Sequence, residues 1–463
     1  MKLISIAVLF LAASAFAQAE VSTKNLISNP TLKSSSGSLP EGWTLWSPRP
    51  GLAPTASVTT CDGEAALSLK AKAYADYGRW VSLVKGIEGG KFYRFDAWHQ
   101  ASGVETETVS VVALLCWCRN PDGTEELQRD YVEQDATTGD WRRNTRTLRA
   151  PDGTQSMRVE LGLRWTKGGS VLWKNISLAE VPAPAPRIVR VVTTRVMPGA
   201  VRTIENNKKL MAQMFDIAAE QKPDVILFSE GLVDRSVRLP LEKKAETIPG
   251  PSTDLLSERA RKYHCYVITT LHERDGDLYY NTAVLIDRSG KIVGKYRKVH
   301  LALAESDMGL TPGNEYPVFT TDFGRIGILT CWDDWFSEPA RILRLRGAEI
   351  LFHPLAGDGS DGHWDAISRA RAIDNGLFFV SSGTVSDASR IINPDGEVLA
   401  EARGDFSYAV KDIDLNQEWR WRYLSVGKGT GEGKTLYTAE RRPDTYSDLT
   451  SATLTPAGKA KEE

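Results

Sequence analysis

Short runs of alternating apolar and polar residues fill the first part of the chain, from about residue 21 to residue 180. Alternation puts apolar side chains on one face of an extended strand, so each run predicts a half-buried β-strand. Clusters such as Glu88-Gly89-Gly90 and Pro121-Asp122-Gly123 predict turns between several of them. The segment 21–180 is therefore predicted to be an all-β sandwich. The predicted strands are 65–69, 79–84, 93–99, 109–116, 157–163 and 171–178.

The pattern changes after a Pro-rich stretch at residues 181–186, which is predicted to be a stiff linker. From residue 187 onward, wholly apolar runs alternate with longer amphipathic stretches. The apolar runs predict strands at 188–196, 225–228 and 326–329, among others, and the amphipathic stretches predict helices at 204–221, 253–263 and 338–346. This alternation predicts an α/β domain at residues 187–449. The small, polar tail at 450–463 is predicted to be disordered.

The amino terminus has the features of an export signal. Met1-Lys2 is followed by an apolar run from Leu3 to Phe16 and by small residues that suit a cleavage site. Residues 1–19 are therefore predicted to be a signal peptide, and the mature protein is predicted to be secreted or periplasmic. The formal net charge of −2 over 463 residues gives no reason to expect nucleic acid as a partner.

Five cysteines are too few for a disulfide scaffold in an exported chain of this length. Cys116 and Cys118 share one face of a predicted strand, and whether one of them bridges to Cys61 stays open. Cys331 follows the strand at 326–329, where backbone N–H groups and a helix N-terminus can lower the pKa of a thiol. Cys331 is thus a candidate nucleophile, and its alternative is a buried structural cysteine.

Three stretches, each at the end of a predicted strand, occur in a characteristic order along the second domain. They are Asp224-Val225-Ile226-Leu227-Phe228-Ser229-Glu230, Gly294-Lys295-Tyr296-Arg297-Lys298-Val299-His300-Leu301, and Gly327-Ile328-Leu329-Thr330-Cys331-Trp332-Asp333-Asp334-Trp335-Phe336. Together they make the domain resemble the nitrilase superfamily of carbon–nitrogen hydrolases. The resemblance implies a four-layer α-β-β-α sandwich that assembles as a homodimer or a larger homo-oligomer. It implies no cofactor.

The residue types in these stretches suit the cleavage of a poorly electrophilic carbon–nitrogen bond. Cys331 would attack as a thiolate and form an acyl-enzyme. Glu230 would act as the general base, and Lys298 together with the backbone N–H of Trp332 would stabilise the oxyanion. By resemblance to the family, Glu305 would be a second glutamate that positions the reactants. The six histidines show no metal-ligand spacing, so no metal is predicted.

Several functions fit these residues. The family resemblance favours a small-molecule amide or N-carbamoyl amide as substrate, whereas Cys331-Trp332 followed by an acidic residue is similar to the true nitrilase branch and suggests a nitrile. A glycan-binding protein with an inactive hydrolase domain is a further alternative. A Cys–His protease with His300 or His353 as base would leave Glu230 and Lys298 without a role.

The first domain resembles galactose-binding-like jelly-roll modules. The resemblance rests on Asn25-Leu26-Ile27-Ser28-Asn29-Pro30, Leu39-Pro40-Glu41-Gly42-Trp43 and the strand from Val171 to Leu178. It implies a glycan as ligand, stacked on tryptophans. The candidate tryptophans, which are otherwise core residues, are Trp43, Trp46, Trp80, Trp98, Trp117, Trp141 and Trp165.

Overall fold

The computed structural model describes residues 24–34, 39–357, 360–384, 389–422 and 429–451. The predicted signal peptide and residues 452–463 of the predicted tail lie outside these ranges. The chain forms two compact units, one from residues up to Pro184 and from Pro443 onward, the other from Ala185 to Arg442. Residues 443–449, which the sequence pattern attaches to the second domain, group with the first unit.

The first unit consists of two antiparallel sheets. Their strand orders are β1-β4-β10-β6-β7 and β2-β3-β11-β5-β9-β8, and the only α-helix described in this unit is the four-residue α1 (Glu107–Ser110). The strands are β1 (Trp43–Trp46), β2 (Thr55–Cys61), β3 (Glu64–Lys70), β4 (Tyr77–Lys85), β5 (Phe92–Ser102), β6 (Val111–Cys118), β7 (Glu126–Tyr131), β8 (Gln134–Thr138), β9 (Trp141–Arg149), β10 (Ser156–Arg164) and β11 (Ser170–Val181).

One hydrophobic core joins the inner faces of both sheets, as the alternating pattern predicts. Trp80, Leu161, Phe95 and Trp173 are fully buried in it. Three of the candidate sugar-stacking tryptophans also lie in this core: Trp43, Trp80 and Trp117. Three others have a cation near one ring: Arg79 at 3.8 Å from Trp46, Lys174 at 4.2 Å from Trp141 and Arg164 at 4.2 Å from Trp165. Glycan binding by this unit stays a prediction.

All five cysteines are free thiols. Cys116 and Cys118 are buried on β6, where the Nη2 atom of Arg158 lies 3.2 Å from the Cys116 sulfur. Cys61 ends β2, which belongs to the other sheet. The bridge to Cys61 that the sequence left open is not formed, since Cys61, Cys116 and Cys118 are all free.

The second unit contains two six-stranded mixed sheets, ordered β16-β15-β14-β13-β12-β23 and β17-β18-β19-β20-β21-β22, and a two-stranded ribbon. The strands are β12 (Ile188–Val196), β13 (Val225–Leu227), β14 (Tyr266–Asp275), β15 (Leu278–Ile286), β16 (Ile292–Arg297), β17 (Val318–Thr320), β18 (Arg325–Ile328), β19 (Ile350–Pro354), β20 (Phe378–Ser382), β21 (Arg390–Ile392), β22 (Val398–Glu401), β23 (Phe406–Asp414), β24 (Arg420–Trp421) and β25 (Gly431–Glu432). The helices are α2 (Ile204–Ala219), α3 (Leu241–Lys244), α4 (Pro251–Tyr263), α5 (Leu303–Asp307), α6 (Ser337–Leu345), α7 (Asp361–Asn375) and α8 (Gly433–Ala439).

The order of the layers in this unit follows from the apolar faces of its sheets and helices. Side chains from both sheets, such as Ile268 and Phe352, share one core between the sheets. Phe215 on α2 and its neighbours on α4 cover the outer face of the first sheet. Leu343 on α6 and Ala372 on α7 cover the outer face of the second sheet. The result is the α-β-β-α order of layers, and strands buried on both faces explain the wholly apolar runs.

No helix among the described residues combines the length and the apolar character needed to cross a membrane.

Candidate active site

The four side chains singled out from the sequence line one cavity of about 310 Å³ in the second unit. Glu230 follows β13, Lys298 follows β16, Cys331 follows β18, and Glu305 lies in the short helix α5. Residues just beyond the carboxyl ends of sheet strands are well placed to share a crevice, because the backbone leaves the sheet there. Ala302, Met308 and Leu271 supply apolar parts of the wall.

Lys298 is the central charge of the site. Its ammonium lies 3.0 Å from Oε1 of Glu230 and 2.7 Å from Oε2 of Glu305, and the residue is 2% exposed. Burial acts to lower the pKa of Lys298, but electrostatic interactions with Glu230 first, and then with Cys331 and Glu305, raise that pKa above its ordinary value. The lysine is therefore held in its charged form between two carboxylates.

Asn281 on β15 joins the two glutamates. Its Nδ2 atom donates to Oε1 of Glu230 and to Oε1 of Glu305, each at 2.8 Å. Its backbone carbonyl accepts from the N–H of Lys298 at 2.9 Å. The sequence alone assigns Asn281 no role. The structure makes Asn281 the residue that fixes the spacing of both carboxylates.

Glu230 remains ionised at neutral pH. Burial acts to raise its pKa, but the charge and hydrogen bond of Lys298, with further help from Cys331 and Asn281, lower that pKa to about 2. Its other oxygen, Oε2, accepts from the backbone N–H of Ala356 at 3.0 Å. A buried carboxylate that is both ionised and beside a thiol can accept the thiol proton.

Cys331 carries a neutral thiol in the resting site. Burial among protein atoms, together with the negative charge of Glu230, raises its pKa from 9.0 to about 12, and the opposing effect of Lys298 is smaller. The prediction from the sequence that the pKa of the Cys331 thiol is lowered is therefore wrong. A 3₁₀ turn, Cys331–Trp335, follows the strand and helix α6 begins only at Ser337, so the helix N-terminus is not at the sulfur.

Asp333 anchors the turn that begins at Cys331. This fully buried carboxylate accepts the Tyr296 hydroxyl at 2.6 Å and the Thr330 N–H at 2.9 Å through Oδ2. Its Oδ1 accepts the backbone N–H of His300 at 2.9 Å. These bonds tie the cysteine turn to the segment that carries Lys298. The sequence offers no signal for this role beyond an acidic residue near the nucleophile.

Neither candidate histidine serves as a base for the thiol. Nε2 of His353 donates to the main-chain carbonyl oxygen of Cys331 at 3.0 Å, not to its sulfur. Nδ1 of His300 lies 3.0 Å from Oδ1 of Asp333, and its ring stacks on Phe336 with centroids 4.0 Å apart. The geometry disfavours the Cys–His protease alternative.

The outer part of the cavity contains a second group of charges. Asp234 is paired with His272, whose Nδ1 lies 2.5 Å from the carboxylate, and with Lys244 at 3.6 Å. Arg235 also lines the cavity. Within the described residues, its guanidinium has no carboxylate partner. Lys298, Lys244 and Arg235 are thus the cationic lining groups apart from histidine, and Arg235 alone lacks a counter-charge there.

The described residues contain no grouping of three or more His, Cys, Asp or Glu side chains that could hold a metal ion. The groups at this site can instead supply a nucleophile, a base and a fixed positive charge.

Comparison with known proteins identifies the class to which this fold and site belong. The family model described as carbon-nitrogen hydrolase matches residues 191–423. Human omega-amidase NIT2 is 34% identical over 37% of this chain and 70% of its own length, and the zebrafish omega-amidase NIT2 is 32% identical over 44% and 77%. A crystal structure of a carbon-nitrogen hydrolase from Helicobacter pylori G27 is 25% identical, covers 57% of this chain and 98% of that one, and has a TM-score of 0.47. The chain belongs to the carbon–nitrogen hydrolase family and is an enzyme of the amidase type.

Proposed function

We propose that this enzyme hydrolyses the terminal amide of a small molecule through a covalent thioester on Cys331. The observation that carries the proposal is the Lys298 ammonium held between Glu230 and Glu305 in the cavity that Cys331 lines. A fixed cation beside a partly buried nucleophile and an ionised base is what acyl transfer requires. The amidase relatives support an amide over a nitrile, which remains the second candidate.

The proposed reaction has two halves that use the same groups. Glu230 takes the proton from Cys331, the sulfur attacks the amide carbon, and the oxyanion develops near Lys298 and the backbone N–H of Trp332. Glu230 then gives its proton to the departing nitrogen, the C–N bond breaks, and a thioester remains. Glu230 next accepts a proton from water, which attacks the thioester and releases the carboxylic acid and the thiol. Glu305 and Asn281 hold Lys298 and Glu230 in position during both halves of the reaction.

We propose further that the preferred substrates carry an acidic group away from the amide. Arg235 lines the cavity without a described counter-charge, so an anionic substrate would provide the partner that the protein does not. A hydrogen bond to a charged group contributes roughly 1.5–3 kcal/mol, whereas a neutral substrate gains nothing comparable from Arg235.

Ammonia release from a matched pair of amides tests both parts of this proposal. Succinamic acid and butyramide have the same length and differ by a carboxylate in place of a methyl group. The acid is expected to have the higher kcat/KM, and Arg235→Gln should lower kcat/KM by about 10- to 100-fold for succinamic acid while changing butyramide little. Lack of ammonia release from these amides and from N-carbamoyl amino acids, with release from the matching nitriles, would favour a nitrilase. Equal losses for both amides would remove Arg235 from substrate recognition.

Export of the chain, glycan binding by the first unit and assembly into a homodimer or larger homo-oligomer stay predictions. The hydrolytic proposal depends on none of them, because every side chain that it uses lies between Glu230 and Ala356.

A further inference from the structure

A buried histidine contacts the backbone of the nucleophile rather than its side chain. His353 lies on β19 with none of its surface exposed. Its Nε2 atom lies 3.0 Å from the carbonyl oxygen of Cys331. A carbonyl oxygen only accepts hydrogen bonds, so Nε2 must carry the proton. The ring therefore fixes the direction of one particular carbonyl group.

That carbonyl belongs to the same peptide group as the N–H of Trp332. A peptide group is planar, and in the trans form its C=O and N–H point to opposite sides. The bond between Cys331 and Trp332 is trans. Holding the carbonyl oxygen toward His353 thus turns the Trp332 N–H away from His353. No acceptor for this N–H is found among the described residues.

The backbone at Cys331 needs such a restraint. Its φ angle is +46°, in the left-handed region that residues with a side chain rarely adopt. Such a conformation costs on the order of 1 kcal/mol or more and persists only where the surroundings enforce it. A change in φ of Cys331 that relieved this strain would also re-orient the peptide group that follows, and the N–H of Trp332 would no longer point in the direction that His353 imposes.

Neighbouring groups hold the His353 ring in place. The ring packs between Phe379 and Trp364, with centroid distances of 5.4 and 5.9 Å. Oδ2 of Asp334 lies 3.9 Å from Nδ1, on the side of the ring away from Nε2. Asp334 is itself fixed, because its backbone carbonyl accepts from Arg371 at 2.9 Å. These neighbours leave Nε2–H directed at the Cys331 carbonyl.

We propose that His353 is a positioning residue for the oxyanion site: by binding the Cys331 carbonyl, it aims the Trp332 N–H at the oxygen that becomes negative when the thiol adds to a carbonyl carbon. This rests on the proposed role of Cys331 as nucleophile. His353 touches neither the substrate nor the sulfur, so its loss should impair oxyanion formation and leave the reactivity of the thiol itself nearly unchanged.

Two variants separate these effects. His353→Phe keeps an aromatic ring but removes the donor, whereas His353→Gln retains a donor near the position of Nε2. Three readouts apply to each full-length variant: ammonia release from succinamic acid, binding of [1-¹³C]acetaldehyde measured by NMR, and the rate of alkylation of Cys331 by iodoacetamide. Acetaldehyde forms a hemithioacetal, in which the sulfur bonds to carbon and the thiol proton moves to oxygen. Alkylation displaces iodide and develops no oxyanion.

His353→Phe is expected to lose about 10²–10³-fold in kcat for the amide, as enzymes do when one oxyanion donor is lost. Its hemithioacetal should weaken at least about tenfold, while alkylation stays within about threefold of wild type, and His353→Gln should recover part of both losses. Equal losses in acetaldehyde binding and in alkylation would overturn the proposal. So would wild-type acetaldehyde binding by a folded His353→Phe variant, or equally weak binding by folded His353→Phe and His353→Gln. A wild type that forms no hemithioacetal would overturn it as well. A wild type that binds acetaldehyde but hydrolyses no amide would refute the proposed function alone.

Discussion

Replacement of Cys331 by alanine is expected to abolish amide hydrolysis, with a loss of about 10⁴-fold or more in kcat. The reason is that the proposed reaction passes through a bond to this sulfur, and no other described cysteine lines the cavity. Cys331→Ser should be nearly as inactive, because a hydroxyl is a much weaker nucleophile and the raised pKa of the thiol shows that the site does not favour an anion there. Steady-state ammonia release measures both losses.

Cys265→Ala provides the matched control. Cys265 is likewise a free thiol of the second unit but is fully buried, and burial raises its pKa to about 12 as well. It packs beneath the helices that cover the first sheet and does not line the cavity. The control should keep wild-type turnover with a lower melting temperature. Normal turnover by a folded Cys331→Ala variant would return Cys331 to a structural role.

Glu230→Gln is expected to lower kcat by about 10²–10⁴-fold, since the amide cannot take the proton from the thiol. The change preserves shape, and Lys298 keeps Glu305 as a partner at 2.7 Å, so the fold should survive. Iodoacetamide should alkylate Cys331 at least as fast in this variant as in wild type, because the negative charge of Glu230 is one of the causes that raise the pKa of the thiol. Ammonia release and alkylation kinetics together measure the effect.

Glu273→Gln tests whether loss of any buried, ion-paired carboxylate has the same result. Glu273 is 2% exposed and pairs with Lys295 at 2.6 Å and Arg297 at 3.0 Å, but it does not line the cavity. Breaking its pairs should reduce stability while leaving kcat within about twofold of wild type. If both glutamine variants lose activity alike, or Glu230→Gln keeps it, Glu230 is not the base.

The α/β unit could be predicted in detail because its strands are buried on both faces. The runs at residues 225–227 and 350–352 are wholly buried, and both are apolar in the sequence. The first unit was harder. The strands β2 and β9 were not predicted, since most of their residues are partly exposed and polar, and Trp141–Arg149 contains four arginines. A strand that contributes few buried side chains leaves little alternation to detect.

The candidate site also contains some residues that could be predicted from the sequence and others that could not. Glu230, Lys298 and Cys331 could be identified because three stretches together resemble the carbon–nitrogen hydrolase family, and the structure does bring these residues together. Asn281, Asp333 and His353 could not be assigned roles, because each acts through a hydrogen bond to a segment distant in sequence, and only the packed sheets set those pairings. The pKa of Cys331 was missed for a related reason: it depends on burial and on the charge of Glu230, not on the local turn.

Rapid acid quench of the wild-type enzyme with succinamic acid, followed by intact-mass and peptide analysis, tests the central claim most directly. The account predicts a transient mass increase equal to the acyl group, located on Cys331 and absent from Cys331→Ala. It also predicts that the acylated form persists until water attacks, so the adduct should decay as the acid product appears. Ammonia release with no adduct at any quench time, or an adduct on another residue, would contradict a thioester mechanism at Cys331.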